Sequence, residues 1–214
     1  MQLARINAPE TRISEILSSV RQAFVDKGFD GASMQDLARS AGMSVGNFYR
    51  YFPSKAEIVK ALIATDMAQM QNDFATLLLS EHPMQTLRAM LPLHLAKHQT
   101  AKDGQLWCEI AAAALRKPEI GAASSEMEQQ IISCLTQVFA AETKLPLAEA
   151  ERRFSAHAAF IILQFKASTS LCGTDNAFVD RDHLNAMIIR TIDATLNEVA
   201  LAAPTPAAQL PAQT

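Results

Sequence analysis

Residues 44–55, SVGNFYRYFPSK, bring amide, cationic and aromatic side chains together within twelve positions. An Asn can pair bidentately with adenine, an Arg can bind guanine or phosphate, and a Tyr hydroxyl can donate to a phosphate. Both tyrosines of the chain lie in this stretch, although only 6% of its residues are aromatic. These residue types predict a surface that contacts nucleic acid.

Helical spacing divides this stretch into two faces. Ser44 can cap a short helix that ends near Phe52, because Pro53 cannot continue it. The spacing turns three apolar side chains inward, namely Val45, Phe48 and Phe52. The outward positions are Gly46, Asn47, Tyr49 and Arg50. The last three have side chains that can bind DNA, and Gly46 allows the backbone to approach DNA closely.

Lys55 stands in the first turn of the helix that follows, where a cation opposes the helix dipole. A phosphate in front of that helix explains a basic residue at this position. Tyr51 can either pack at the edge of the domain or reach a phosphate.

The preceding residues complete a helix-turn-helix pattern. Residues 33–40, SMQDLARS, read as a short helix with Ser33 as its N-cap and Asp36 at its third position. Ala38 supplies the small residue at the helix crossing, and Gly42 supplies the turn. The alternative is a surface corner of two helices, whose aromatic residues only pack the domain together.

The remaining chain has helical periodicity without strand alternation, which predicts an all-α fold of about nine helices. The first helix runs over residues 11–28 and ends at Gly28. A long helix follows from Lys55 to about Ser80, and Pro92 can kink or split one of the later helices. These later helices are expected near residues 84–100, 104–116, 119–142, 147–171 and 180–201.

This pattern predicts a three-helix head joined to a larger helical domain. The head is predicted to bind DNA. We expect a flexible N-terminal arm, from which Arg5 can reach a minor groove, and a disordered Pro/Ala/Gln-rich tail. The predicted segments are 1–10 for the arm, 11–54 for the head, 55–202 for the larger domain and 203–214 for the tail.

Composition and charge agree with a globular, cytoplasmic protein. Residues 1–60 contain eight Lys/Arg and six Asp/Glu, a net charge of +2, whereas residues 61–214 carry −5. A basic head on an acidic body allows local phosphate contact. Three widely spaced cysteines form no CxxC pair, which argues against a disulfide framework or zinc ribbon. We expect no membrane segment, since the apolar runs are far shorter than the ~20 residues that span a bilayer.

Residues 11–60 resemble the TetR family of bacterial transcription regulators. The likeness is carried by an amphipathic first helix ending in Gly-Phe and by GASMQDLARSAGMSVGNFYRYFPSKAEIV. The resemblance implies that Ser33, Ser44, Asn47 and Tyr49 touch DNA and that Lys55 holds a phosphate. Together with other residues of the recognition helix, the predicted DNA-binding set is Ser33, Ser44, Val45, Gly46, Asn47, Tyr49, Arg50, Tyr51 and Lys55.

The same resemblance implies that residues 55–202 form a ligand-binding and dimerisation domain, with a homodimer through the last two long helices. Both helices carry apolar stripes, which are Phe154, Ala158, Ile161, Ile162 and Phe165 in one, and Leu184, Met187, Ile188, Ile192, Leu196 and Val199 in the other. A helix-turn-helix that reads two half-sites needs a dimer. The alternative is that these stripes serve only the core of the monomer.

A small, hydrophobic effector is expected in the larger domain. Apolar and polar side chains can line its pocket, although such residues at helical spacing also build ordinary cores. The candidates are Met67, Met70, Met90, Leu91, His94, Trp107, Cys108, Phe139, His157, Phe160 and Gln164.

The sequence thus favours a repressor that binds a palindromic operator in double-stranded DNA as a dimer and is released by its effector, with no cofactor. An activator of the same fold is an alternative. A second alternative is an all-α metal-dependent enzyme using His94, His98 and Glu109, and a third is an interaction module with a vestigial helix-turn-helix. No nucleophile elbow, phosphate loop or HExxH motif supports catalysis, and we expect no metal site.

Overall fold

Capping side chains and prolines start most of the helices in this chain. The computed structural model describes residues 8–98, 101–172 and 178–203, with the side chains of 12–96, 104–169 and 178–203. Within these ranges the chain is all-α, as predicted, with no strand. The helices are α1 (Ala8–Gly31), α2 (Met34–Ser40), α3 (Val45–Tyr51), α4 (Lys55–Leu78), α5 (Pro83–His98), α6 (Ala101–Ala114), α7 (Pro118–Thr143), α8 (Leu147–Cys172) and α9 (Arg181–Leu201).

Predicted helix ends follow the expected local chemistry. Ser33, Ser44 and Ser54 each accept a backbone N–H of the first turn of α2, α3 and α4, respectively. Gly28 has φ 72° and ψ 164°, so the regular part of α1 ends there, and one more turn continues to Gly31. Pro92 lies inside α5 without splitting it. Arg5 and the side chain of His98 lie outside the described residues.

The head is built around a core of aromatic and aliphatic side chains from α1, α2 and α3. Phe24 and Phe29 stack with ring centroids 5.5 Å apart, and Phe48 and Leu37 are fully buried beside them. This core continues into α4 and into one face of α6. The division at residue 54 stays a prediction, since the apolar core runs across it.

The larger helical part has a second core, formed by α5, α7, α8, α9 and the end of α4. The predicted α8 and α9 stripes lie mostly inside it: Phe154, Ile161, Ile192 and Leu196 are buried within the chain. Of the two uses left open for these stripes, the structure therefore favours the monomer core. The reason is that amphipathic spacing predicts a buried face without showing whether the covering helices come from the same chain.

No helix of the described ranges has both the length and the apolar character needed to cross a lipid bilayer.

Candidate DNA-binding surface

A tight turn joins α2 to α3 and fixes their relative orientation. Gly42 adopts φ 65°, and its N–H donates to the carbonyl of Arg39 at 3.0 Å. The N–H of Met43 donates to the carbonyl of Ala38 at 2.9 Å. These two bonds satisfy the last carbonyls of α2 in the Schellman arrangement, which favours glycine at the left-handed position. The turn predicted from Ala38 and Gly42 is therefore present.

Ser33 and Asp36 form a reciprocal capping box at the start of α2. The Ser33 hydroxyl accepts the Asp36 N–H at 3.1 Å and donates to Asp36 Oδ2 at 2.6 Å. Asp36 Oδ2 also accepts the backbone N–H of Ser33. Bonds from Lys27 and then from Ser33 hold the pKa of the Asp36 carboxyl well below its usual range. The single hydroxyl proton of Ser33 is thus already donated, so its predicted contact with DNA is limited to an accepted hydrogen bond.

The recognition helix α3 is anchored by aromatic side chains on its inner face. Phe48 is fully buried and Phe52 nearly so, with ring centroids 5.8 Å apart, as helical spacing predicts. Val45 is 37% exposed, which corrects its predicted inward position. Val45 opens α3 one turn before Phe48, at the edge of the packed face, and so it borders the outer surface.

The outer face of α3 presents most of the predicted DNA-binding set. Tyr49 and Tyr51 are 46% and 40% exposed, and Gly46, Asn47 and Arg50 are exposed beside them. The hydroxyl of Ser44, which is also exposed, accepts the N–H of Asn47 at 3.3 Å. A short, rigidly capped helix therefore carries an amide, a guanidinium and two phenols on its free side.

Lys55 has a structural partner that the sequence did not indicate. Its Nζ donates to the carbonyl oxygens of Phe29 and Asp30 at 2.8 and 3.1 Å. The same ammonium lies 5.0 Å from the centroid of the Phe29 ring. Two of its three protons are thereby used within the head, and its predicted phosphate contact relies on the third.

The apolar ligand candidates are divided between the two cores of the described residues. Met67 and Trp107 pack on the first core, whereas Phe139 and Met90 belong to the second, and Met70 touches both. Leu91 is buried in the second core. These six side chains therefore pack in the two cores, which is the alternative given above for apolar residues at helical spacing.

The polar candidates on α8 have an unusual environment. His157 Nε2 lies 3.3 Å from Glu198 on α9, and the His157 ring meets Phe154 edge-on. Nδ1 of His157 and Nε2 of Gln164 are buried without a hydrogen-bond partner among the described residues. Buried polar atoms are nearly always paired in proteins, so these two are candidates for contact with a ligand or water.

The remaining ligand candidates have ordinary surroundings. Cys108 and Phe160 are exposed, and the His94 ring packs at 5.7 Å from that of Phe165. A separate cleft of about 310 Å³ lies between α4 and α7. None of the predicted ligand residues lines it. Its walls are Gln71, Phe74, Ala75, Leu78, Gln130, Ser133, Cys134 and Gln137.

Glu109, one of the residues assigned to the alternative metal enzyme, has a structural contact with the head. Glu109 accepts the N–H of Phe29 at 2.7 Å, so its carboxylate faces the head. Within the described side chains, no group of three or more His, Cys, Asp or Glu is placed to hold a metal ion. The side chain of His98 lies outside these residues. Sequence offered no signal for the Glu109 contact, because its partner is 80 residues away.

The residues that form the helix-turn-helix also match a known family in sequence. A sequence profile described as "Bacterial regulatory proteins, tetR family" matches residues 16–62, which include α2, α3 and the start of α4. Residues 16–62 belong to the TetR family. The chain is a DNA-binding transcriptional regulator with a helix-turn-helix.

Individual relatives agree with this assignment. The chain is 24% identical over 141 residues to the HTH-type transcriptional regulator UidR of Escherichia coli K12, covering 64% of this chain and 68% of UidR. It is 31% identical over 70 residues to the HTH-type transcriptional repressor AcnR of Corynebacterium efficiens, covering 33% and 37% of the two chains. The fold is similar to that of Salmonella enterica GusR, with a TM-score of 0.69 and 20% identity over 91% of this regulator and 100% of GusR. UidR and AcnR are transcriptional regulators, and GusR shares the fold of this chain.

Proposed function

We propose that this regulator is a repressor that binds a palindromic operator as a homodimer and leaves it when a small, hydrophobic ligand binds. The observation that carries the proposal is the outer face of α3, where Asn47, Tyr49 and Arg50 are exposed on a helix anchored by Phe48. Such a helix fits the major groove, and its polar side chains can reach base edges and phosphates.

The proposed DNA contacts divide into two kinds. Asn47 and Arg50 are assigned to base edges, while Tyr49, Tyr51 and Lys55 are assigned to phosphates. The other contacts, at the borders of the recognition helix and at the start of α2, are assigned to Ser33, Ser44, Val45 and Gly46.

Exposed apolar side chains on the last two helices support the dimer. Phe160 and Leu163 of α8 are 44% and 60% exposed, and Met187 of α9 is exposed as well. Phe160 and Leu163 are three residues apart and therefore share a helix face. A twofold axis would pack these faces together and bring two recognition helices to half-sites ~34–36 Å apart or somewhat more.

Ligand release is supported by the two orphaned polar atoms of α8. His157 Nδ1 and Gln164 Nε2 are buried, and the His157 ring lies edge-on against Phe154 of the second core. A small apolar molecule with one or two polar groups could satisfy them. Its binding would favour dimers whose heads no longer match the operator spacing, which is a shift of population between two geometries.

One experiment tests the whole proposal. The full-length regulator would select its operator from a random DNA library, and its affinity and footprint would be measured with and without a panel of hydrophobic compounds. We expect an inverted repeat protected on two successive turns, a dimer by sedimentation, and weaker binding with at least one compound. Selection of an unrepeated site by a monomer would overturn the dimeric model, and transcription raised by operator binding would indicate the activator alternative.

A further inference from the structure

The last turn of α1, from Gly28 to Gly31, is held by α6 and by the residues that follow it. The carboxylate of Glu109 accepts the N–H of Phe29 at 2.7 Å, and Arg116 donates to Asp30 Oδ2 at 2.8 Å. Lys117, just after α6, adds a cation 5.5 Å from the centroid of the Phe29 ring. These contacts join residues that are about 80 positions apart, so they connect the head to the larger helical part.

The backbone of this turn is shaped for the contact. Gly28 has φ 72° and ψ 164°, a conformation almost restricted to glycine. A Cβ at Gly28 would lie 3.2 Å from Glu109 Oε2, which is closer than ordinary van der Waals contact. The missing side chain therefore gives the Glu109 carboxylate room beside the Phe29 amide.

The same turn connects directly to the recognition helix. The carbonyls of Phe29 and Asp30 accept hydrogen bonds from Lys55, the first residue of α4. Only Phe52, Pro53 and Ser54 separate Lys55 from the end of α3. A continuous chain of hydrogen bonds thus runs from α6, through the last turn of α1, to the first residue of α4, close to the end of the recognition helix.

Apolar packing alone would leave this junction poorly oriented. Leu106, Ile110 and Ala113 of α6 are buried in the core of the head, but such packing has no strong directional preference. The bond from Phe29 N to Glu109 is directional and charge-assisted, so it favours one orientation of α1 on α6. The Arg116–Asp30 pair is more than half exposed on both sides and contributes less.

We infer that Glu109 is a positioning residue for operator binding: through the Phe29 amide it fixes the orientation of the recognition helix relative to the larger helical part. This inference rests on the proposed dimeric binding, because the orientation of each head sets the distance between the two recognition helices. A single half-site makes no such demand, since one head can bind it in any orientation relative to the body.

The test compares two DNA duplexes, the selected operator and one isolated half-site, at low salt where the weaker half-site binding is measurable. Glu109→Ala removes the acceptor, and Glu109→Gln keeps a carbonyl oxygen that can accept the Phe29 N–H. If each head then holds its binding orientation about a third of the time, the Ala variant loses about tenfold in operator affinity. We expect its half-site affinity to be unchanged and the Gln variant to bind operator within about twofold of the natural protein.

Spacing tolerance gives a second measurement. Affinity is also measured for operators with one base pair added or removed between the half-sites. Glu109→Ala should discriminate against these altered operators less strongly than the natural protein does. Glu119→Ala removes an exposed carboxylate from the first turn of α7 and is the control for charge. Arg116→Ala should lose no more than about threefold on the operator.

The inference is overturned if Glu109→Ala binds the operator as tightly as the natural protein does, or if it loses affinity equally for the operator and the half-site. It is also overturned if Glu109→Gln binds the operator as weakly as the Ala variant. Failure of the dimer proposal would give a different result. In that case the natural protein would itself bind the operator no more tightly than a half-site, whatever residue stands at position 109.

Discussion

The ammonium group of Lys55 lies 2.8 Å from the carbonyl oxygen of Phe29 and 5.0 Å from the centroid of its ring. Partial burial lowers the pKa of Lys55, although Asp30 nearby opposes this effect. Lys55 therefore joins α4 to the end of α1, in addition to the phosphate contact that its sequence position predicts.

Replacing Lys55 by Met separates these two roles. The Met variant keeps an apolar stem over Phe29 but loses the hydrogen bonds to two carbonyls. We expect the free energy of unfolding, measured by urea titration without DNA, to fall by roughly 1–2 kcal/mol. Lys60→Met is the matched control, because Lys60 forms an exposed pair with Glu57 and should change stability by about 0.5 kcal/mol or less. An unchanged unfolding free energy with weaker DNA binding would leave only the phosphate role.

Gly28 and Gly31 provide a matched pair for the backbone argument. Gly28 has φ 72°, whereas a Cβ on Gly31 would meet no atom within 4 Å. We expect Gly28→Ala to lower the free energy of unfolding by about 1–3 kcal/mol, because alanine is strained in this conformation and crowds Glu109. Gly31→Ala should be neutral or slightly stabilising, since it restricts the unfolded chain. Equal thermal stability of the two variants would contradict this explanation.

Local signals in the sequence predicted the head well. Serine caps, the Gly42 turn and the aromatic anchors Phe48 and Phe52 act over a few residues, so their spacing is sufficient to place them. Lys55 shows the limit of such reasoning. Its place in the first turn of α4 was visible, but the carbonyls that it binds lie 25 and 26 residues earlier.

Long-range packing explains the weaker predictions for the larger helical part. The spacing of Ile161 and Leu196 showed that each helix has a buried face, yet it did not show that α5 and α7 of the same chain cover it. The ligand pocket stays a prediction for a similar reason, because the side chains of a core and of a pocket have the same composition. Glu109 was assigned to the alternative metal enzyme, because its partner Phe29 lies 80 residues earlier and could not be predicted.

The capping box of α2 should make the head sensitive to acid. Hydrogen bonds from Lys27 and Ser33 lower the pKa of Asp36 in the folded protein, so the unfolded chain binds its proton first as pH falls. The stabilisation is present above the unfolded pKa near 3.8 and is lost as pH falls from about 4 through the lower folded pKa.

Asp36→Asn tests this assignment by thermal denaturation between pH 7 and pH 3. We expect the variant to be less stable at pH 7 and to lose less stability on acidification than the natural protein. Asp26→Asn, which removes an exposed carboxylate of α1, is the control. Parallel pH profiles for the natural protein and Asp36→Asn would contradict the role of Asp36.

Asn47 and Tyr49 should affect DNA binding in different ways. Asn47→Ala removes a bidentate partner for adenine, so discrimination at one base pair should fall by about 1–3 kcal/mol. Tyr49→Phe removes a phosphate donor and should weaken all sequences alike. Affinities for the operator and its single-base variants distinguish these outcomes. Full discrimination in Asn47→Ala would exclude Asn47 as a base reader.

Leu163 offers a direct test of the proposed dimer. It is 60% exposed on α8 and shares a face with Phe160, so a charge there should be tolerated by the monomer fold. In a twofold interface, Leu163→Glu would place unpaired carboxylates among apolar side chains. We expect dimer affinity to fall by about 3 kcal/mol, somewhat more than 100-fold, in sedimentation velocity experiments at micromolar concentration. Leu93→Glu, on an exposed position of α5, is the matched control. If Leu163→Glu sediments as the natural dimer does, the exposed face of α8 is not the interface, and the spacing of the two recognition helices must be set by another surface.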